Sequence, residues 1–164
     1  MSLNKKLFEK INNNVDKSEA VDRLALFFAY YLGFVMAGIV LFFLFIDFNK
    51  YWEMVWKAFA AAFIARGIAQ IIYWLFPRKR PFVDNDDVKL ILKPKPTPSF
   101  PSGHAVSFFA FSMVIYYFNP LLGKIFFLLS TLMGISRVYG GVHWPIDVVV
   151  GAVIGILVGW QFWP

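Results

Sequence analysis

The sequence predicts an all-α integral membrane protein: a bundle of five transmembrane helices preceded by an amphipathic helix lying in the interface. Three observations predict it. Of 164 residues, 59% are hydrophobic and 16% charged, with a mean hydropathy of +0.61, too apolar for a soluble domain. Residues 24–46 run without a single charged side chain, and about 20 apolar helical residues cross a bilayer core of about 30 Å. Further long apolar stretches recur toward the C-terminus, which separates the first from a cleavable signal.

Each element has its own signal. Residues 1–22 set Leu7, Phe8, Ile11 and Val15 against Lys5, Lys6, Lys10 and Lys17, at spacings that suit an interfacial helix. The first span, 24–46, closes on a polar turn at 47–50. A second, 51–76, is interrupted by Glu53, Lys57 and Arg66 and stops at Pro77. The polar segment 77–101 carries six basic residues: Arg78, Lys79, Arg80, Lys89, Lys93 and Lys95. Spans 102–118, 121–139 and 145–163 follow, joined by an Asn119-Pro120 turn and the loop 140–144. In the last, Gly151, Gly155 and Gly159 repeat every four residues, a spacing that lets helices approach closely. No repeat or composition shift divides the chain, so residues 1–164 are expected to form one domain, with 1–22 interfacial and 23–164 the bundle. Counting spans back and forth gathers four helix ends at one membrane face: the end of the second, start of the third, end of the fourth and start of the fifth.

The absence of cysteine excludes disulfides, thiolate nucleophiles and cysteine metal sites. A net charge of +6 suits anionic head groups or phosphate-bearing substrates, whereas so apolar a chain is a poor partner for nucleic acid. The chain has two histidines, His104 and His143, and the span count brings both to the polar face near Arg80 and Arg137. Pro101-Ser102-Gly103-His104 opens a helix, where free N–H groups and the helix dipole favour an anion. Ser102 can cap that helix or donate to a phosphate oxygen. Ser136-Arg137 precedes His143, and Asp147 follows in the first turn after Pro145. Asp147 can orient His143 through a ring nitrogen, or merely complement the dipole. Arg66 sits inside an apolar helix and must face the bundle interior or water. It lies 14 residues before Arg80, about 21 Å at 1.5 Å per residue, and is expected to be structural or pathway-lining rather than to touch the same phosphate.

These residues give the sequence its resemblance to the type 2 phosphatidic acid phosphatase family. The family signature is a lysine, six residues and Arg-Pro; then Pro-Ser-Gly-His; then Ser-Arg, five residues, His, three residues and Asp. The second and third parts are complete, and Arg80-Pro81 ends the first. Tyr73 stands at the lysine position, leaving Arg78 or Lys79 as candidates to compensate. The Arg78-Lys79-Arg80-Pro81-Phe82 ending is similar to the undecaprenyl-diphosphate phosphatase branch. The resemblance implies a membrane lipid phosphatase of a bacterial or archaeal cell membrane, in which His143 attacks phosphorus and Asp147 orients it. His104 would protonate the leaving oxygen, while Arg80, Arg137, Ser102, Gly103 and Arg78 hold phosphate. It implies no cofactor and no metal. Undecaprenyl diphosphate is the preferred substrate, with phosphatidylglycerol phosphate and phosphatidic acid as alternatives; a lipid phosphotransferase and a non-catalytic lipid-binding protein are the other readings. The positive-inside count favours a cytoplasmic active face. The resemblance favours the outer face, and it is preferred because charges retained for phosphate weaken the count.

Overall fold

In a computed structural model, residues 3–94 and 97–163 are described, and Lys95 of the basic segment lies outside them. Among the described residues the chain is all-helical. Its elements are α1 (Leu3–Asn12), α2 (Glu19–Tyr30), α3 (Leu32–Ile46), α4 (Phe48–Leu75), α5 (Pro81–Asp84), α6 (Gly103–Phe118), α7 (Pro120–Tyr139) and α8 (Pro145–Trp160).

The sequence sets several boundaries by side-chain caps and by proline. The Asp47 carboxylate accepts from Lys50 N at 3.1 Å to start α4, and the Asn119 side chain accepts from Leu122 N at 3.0 Å to start α7, each satisfying a helix-end N–H. Proline opens α7 and α8, where its missing N–H costs nothing.

The core is built around α6, with Ala105, Val106, Ala110, Val114 and Ile115 fully buried. Small residues bring its neighbours close. On α4 the inward row is Ala58, Ala61, Ala65 and Ala69, each 0% exposed. On α8 the row is Gly151, Gly155 and Gly159. A Cβ at Gly151 would lie 2.9 Å from the Ser102 carbonyl, and one at Gly155 would lie 2.9 Å from Ala110 N. The α8 backbone therefore rests directly on α6. That contact carries Asp147 to the start of α6, where Ser102 N donates to the Asp147 carbonyl at 2.9 Å.

Two sequence expectations change. The apolar run 24–46 is not one straight helix: α2 and α3 meet at Tyr31 with a 51° bend. Gly33, the second residue of α3, leaves the space that the Phe108 ring of α6 occupies, and glycine is among the recurrent causes of such kinks. The expected interfacial helix 1–22 is also shorter. It ends at Asn12, and Glu19 to Asp22 already belong to α2. Asn12 explains the stop. Its buried side chain donates to Lys89 O and Tyr139 O, both at 2.8 Å, and accepts from Lys89 N at 3.0 Å, tying the helix end to the linker and α7. Phe8 packs on Trp144 at 5.0 Å between ring centroids.

By length and composition α4 and α7 can each cross a membrane, and the bent α2–α3 pair makes a third candidate. The apolar helices α6 and α8 have 16 residues each.

Candidate active site

The C-terminal end of α4, the N-termini of α6 and α8, the C-terminal end of α7 and the linker segments 76–94 and 97–102 converge on His143. This histidine sits in the α7–α8 loop, 2% exposed. Its Nδ1 is 2.9 Å from the Ser99 carbonyl. A carbonyl only accepts, so Nδ1 carries the proton and Nε2 keeps its lone pair. Facing Nε2, at 3.4 Å, is Nη1 of Arg80. Burial pushes the imidazole down to about 4; Asp147 opposes the shift, while Arg80 and Arg137 add to it. The ring is neutral at pH 7, with a lone pair directed at the arginine edge.

Asp147 is fully buried, but it does not take the Nδ1 proton directly, since its Oδ2 is 3.7 Å from Nδ1. That oxygen instead accepts from Trp144 N at 2.9 Å and from the Ser99 hydroxyl. Oδ1 accepts from Arg78 Nη1 at 3.1 Å. Asp147 thus anchors the strand of chain whose carbonyl orients His143, and its charge stands close enough to stabilise positive charge on the ring. Ser99 was not legible as a site residue, because it reaches His143 through a backbone carbonyl and Asp147 through a hydroxyl, from an irregular linker with no motif around it.

Arg78 is accounted for by this pair, and its guanidinium also lies over the Trp144 ring at 5.7 Å. The carboxylate and the indole hold it beside the start of α8. Arg80 is held on three sides. Its Nε donates to Thr97 O at 2.8 Å, Nη2 to Thr97 Oγ1 at 2.9 Å, and Nη1 to Val142 O at 2.7 Å. Those bonds fix a planar fork against the Nε2 edge of His143. Burial lowers the Arg80 pKa from its ordinary value.

Arg137 and Ser102 are different. Both are buried, at 5% and 0% exposure, and among the described residues Arg137 Nε and Ser102 Oγ have no hydrogen-bond partner. Buried polar atoms of this kind cost about 1–3 kcal/mol each when unmet, so both suit an anion. Ser102 occupies the cap position of α6 without a side-chain cap bond, which leaves its hydroxyl for that use. The Gly103 N–H, expected to face phosphate, donates to Tyr73 Oη at 3.1 Å.

His104, half-buried in the first turn of α6, lines a groove of about 290 Å³ with Phe28, Tyr30, Gly33, Phe108 and Met133. The bend between α2 and α3 opens this groove, and its walls are chiefly apolar. A larger hollow of about 570 Å³ lies against the linker, lined by Arg78, Lys79, Arg80, Phe82, Thr97 and Pro98 among others.

Comparison with known proteins decides the family. Residues 51–164, more than half of the chain, match the PAP2 superfamily. The chain belongs to the PAP2 superfamily. It is 31% identical over 156 residues to the bacitracin transport permease protein BcrC of Bacillus licheniformis, covering 94% of this chain and 76% of that one. It is 35% identical over 97 residues to the undecaprenyl-diphosphatase of Sulfolobus acidocaldarius, covering 56% of this chain and 45% of that one. The solved structure of Aquifex aeolicus LpxE superposes with a TM-score of 0.81 at 32% identity, covering 99% of this chain and 95% of that one. This PAP2 chain is an integral membrane phosphatase that acts on lipid phosphates.

Proposed function

We propose that this PAP2 protein hydrolyses undecaprenyl diphosphate in two steps through a phosphohistidine on His143. One observation carries the reading. A neutral imidazole presents Nε2 to a buried, positively charged wall in which Arg137 Nε and Ser102 Oγ have no partner among the described residues. Such a wall fits a phosphoryl group, whose transfer depends on positioning and charge stabilisation.

In the first step the Nε2 lone pair attacks phosphorus and the bond to the leaving oxygen breaks. His104, on the groove side, donates a proton to that oxygen. The Nδ1–H stays on the Ser99 carbonyl, and Asp147 stabilises the charge spreading over the ring. Arg80, Arg137 and Ser102 hold the phosphoryl oxygens, guanidinium forks matching them in geometry. In the second step His104 takes a proton from water, which attacks phosphorus and frees His143. Arg78 acts through Asp147, as a positioning residue. The apolar groove beside His104 gives an isoprenoid tail a path from the bilayer, and the Sulfolobus relative is an undecaprenyl-diphosphatase.

We further read the chain as one domain of five crossings: the bent α2–α3 pair, α4, α6, α7 and α8. The two 16-residue helices are about 24 Å long, a little under a hydrocarbon core of about 30 Å. They are packed together within the bundle, where the mismatch is absorbed by neighbouring helices. In this arrangement α1 lies in the interface with Leu3 and Leu7 exposed, and the active site opens to the outer face.

The test is phosphate release by purified protein from undecaprenyl diphosphate, phosphatidylglycerol phosphate and phosphatidic acid, with His143→Asn alongside. Preference for the first substrate and loss of turnover in the variant are expected. Preference for either glycerolipid would replace the substrate, and undiminished activity in His143→Asn would remove the mechanism.

A further inference from the structure

The phosphate cradle of this protein lacks the expected cation at position 73, and the structure shows what stands there. Tyr73 is buried, and its hydroxyl accepts two hydrogen bonds, from Gly103 N at 3.1 Å and from Arg66 Nη1 at 3.2 Å. The Arg66 guanidinium also lies 5.6 Å from the centre of the Tyr73 ring. Seven residues separate the two on α4, about 10.5 Å of rise. Side chains tilt toward a helix N-terminus, so the Tyr73 ring leans back toward Arg66 while the long arginine reaches forward. The rise from Arg66 to Arg80 along one helix is therefore no measure of their separation. The chain leaves α4 after Leu75, and Arg66 contributes to the field that lowers the Arg80 pKa.

Two independent observations locate the guanidinium at the site. A Cβ added at Gly103 would fall within the Arg66 side chain and 2.9 Å from Tyr73 Oη, so the glycine of Pro-Ser-Gly-His is what admits the arginine. No acid pairs with Arg66 among the described residues, while Arg80 lies within electrostatic range and the α6 N-terminus adds its own positive end. Positive groups brought this close, with Ser102 Oγ and Arg137 Nε unmet nearby, are reconciled by an anion among them.

We propose that Arg66, positioned by Tyr73, is a phosphate-binding residue of this enzyme and supplies from two turns deeper the charge that position 73 does not. The inference rests on the reading of the site as a phosphoryl-transfer centre. Tyr73 is a positioning residue: it holds the guanidinium against the start of α6 and its hydroxyl keeps one proton of its own to donate.

The experiment measures kcat/KM for lipid phosphate hydrolysis and the inhibition constant for inorganic phosphate, using full-length protein in detergent. Arg66→Gln is expected to lower kcat/KM about 30-fold or more and to weaken phosphate inhibition, the loss of one charge-assisted bond at a phosphate. Arg66→Lys should keep the larger part of the activity, and Tyr73→Phe should show an intermediate loss. Adding Tyr73→Lys to Arg66→Gln should restore at least about tenfold, because it returns a charge to the same spot by the shorter route. Should Arg66→Gln fail to fold, Arg66→Lys, Tyr73→Phe and the double variant still decide, with rescue supporting the proposal and a folded, unrescued double variant overturning it. Arg66→Gln within about threefold of wild type, with unchanged phosphate inhibition, would overturn it while His143→Asn remained inactive. An active His143→Asn would instead overturn the phosphoryl-transfer reading beneath it.

Discussion

At the scale of single residues the site holds one imidazole neutral. The Ser99 carbonyl fixes the proton on Nδ1, and burial brings His143 to about 4, below the 6.5 of an unperturbed histidine. Between those values the folded protein binds fewer protons here than the unfolded chain, so stability contributed by this group rises with pH and is lost on acidification from 6.5 toward 4. The expected outcome is that His143→Asn flattens the stability profile in that window, read by thermal unfolding at a series of pH values. An unchanged slope would mean that the imidazole is not held neutral. The residues at this scale were unequally legible. His104, His143, Arg137 and Asp147 stand out because few other types can do their chemistry and because their spacing is strict. Ser99 and Thr97 do not, since they contribute carbonyls and two hydroxyls from an irregular linker. Rise along the helix alone does not locate the Arg66 guanidinium, because an arginine is long and the Tyr73 side chain tilts toward it.

At the scale of elements, the site is positioned by backbone contact between α6 and α8. Gly155 makes the point: a Cβ there would meet the Val106 carbonyl and Ala110 N of α6, whereas one at Gly38 on α3 would meet nothing within 4 Å. Gly155→Val should therefore destabilise by roughly 2 kcal/mol, an overpacking cost, and should lower activity by displacing Asp147. Gly38→Ala should be neutral or stabilising by about 0.5 kcal/mol, through the entropy glycine loses in a helix. Thermal unfolding in detergent and phosphate release measure both. Equal behaviour of the two variants would show that α8 does not rest on α6 as described. The glycine repeat was readable in the sequence as close packing, though not which helix it approaches. The bend at Tyr31 was not, because an uninterrupted apolar run gives no local sign of the Phe108 ring that fills the space at Gly33.

At the scale of the whole molecule, the helical class was legible from composition and from runs of apolar residues. The length of α1 was not, because its end depends on Asn12 binding Lys89 and Tyr139, far apart in sequence. Which side of the membrane the active site faces is a matter of topology, and the cysteine-free chain makes it easy to probe. Asp86 is exposed in the linker, and Asp86→Cys in intact bacterial cells should react with a membrane-impermeant maleimide without permeabilisation. Reaction only after permeabilisation would put the active site in the cytoplasm. The central claim concerns the bond formed at His143, and rapid quenching with radiolabelled lipid phosphate tests it most directly. Label stable in base and labile in acid, on the peptide that carries His143, is the predicted result. Turnover with no label on that peptide at any time would contradict it.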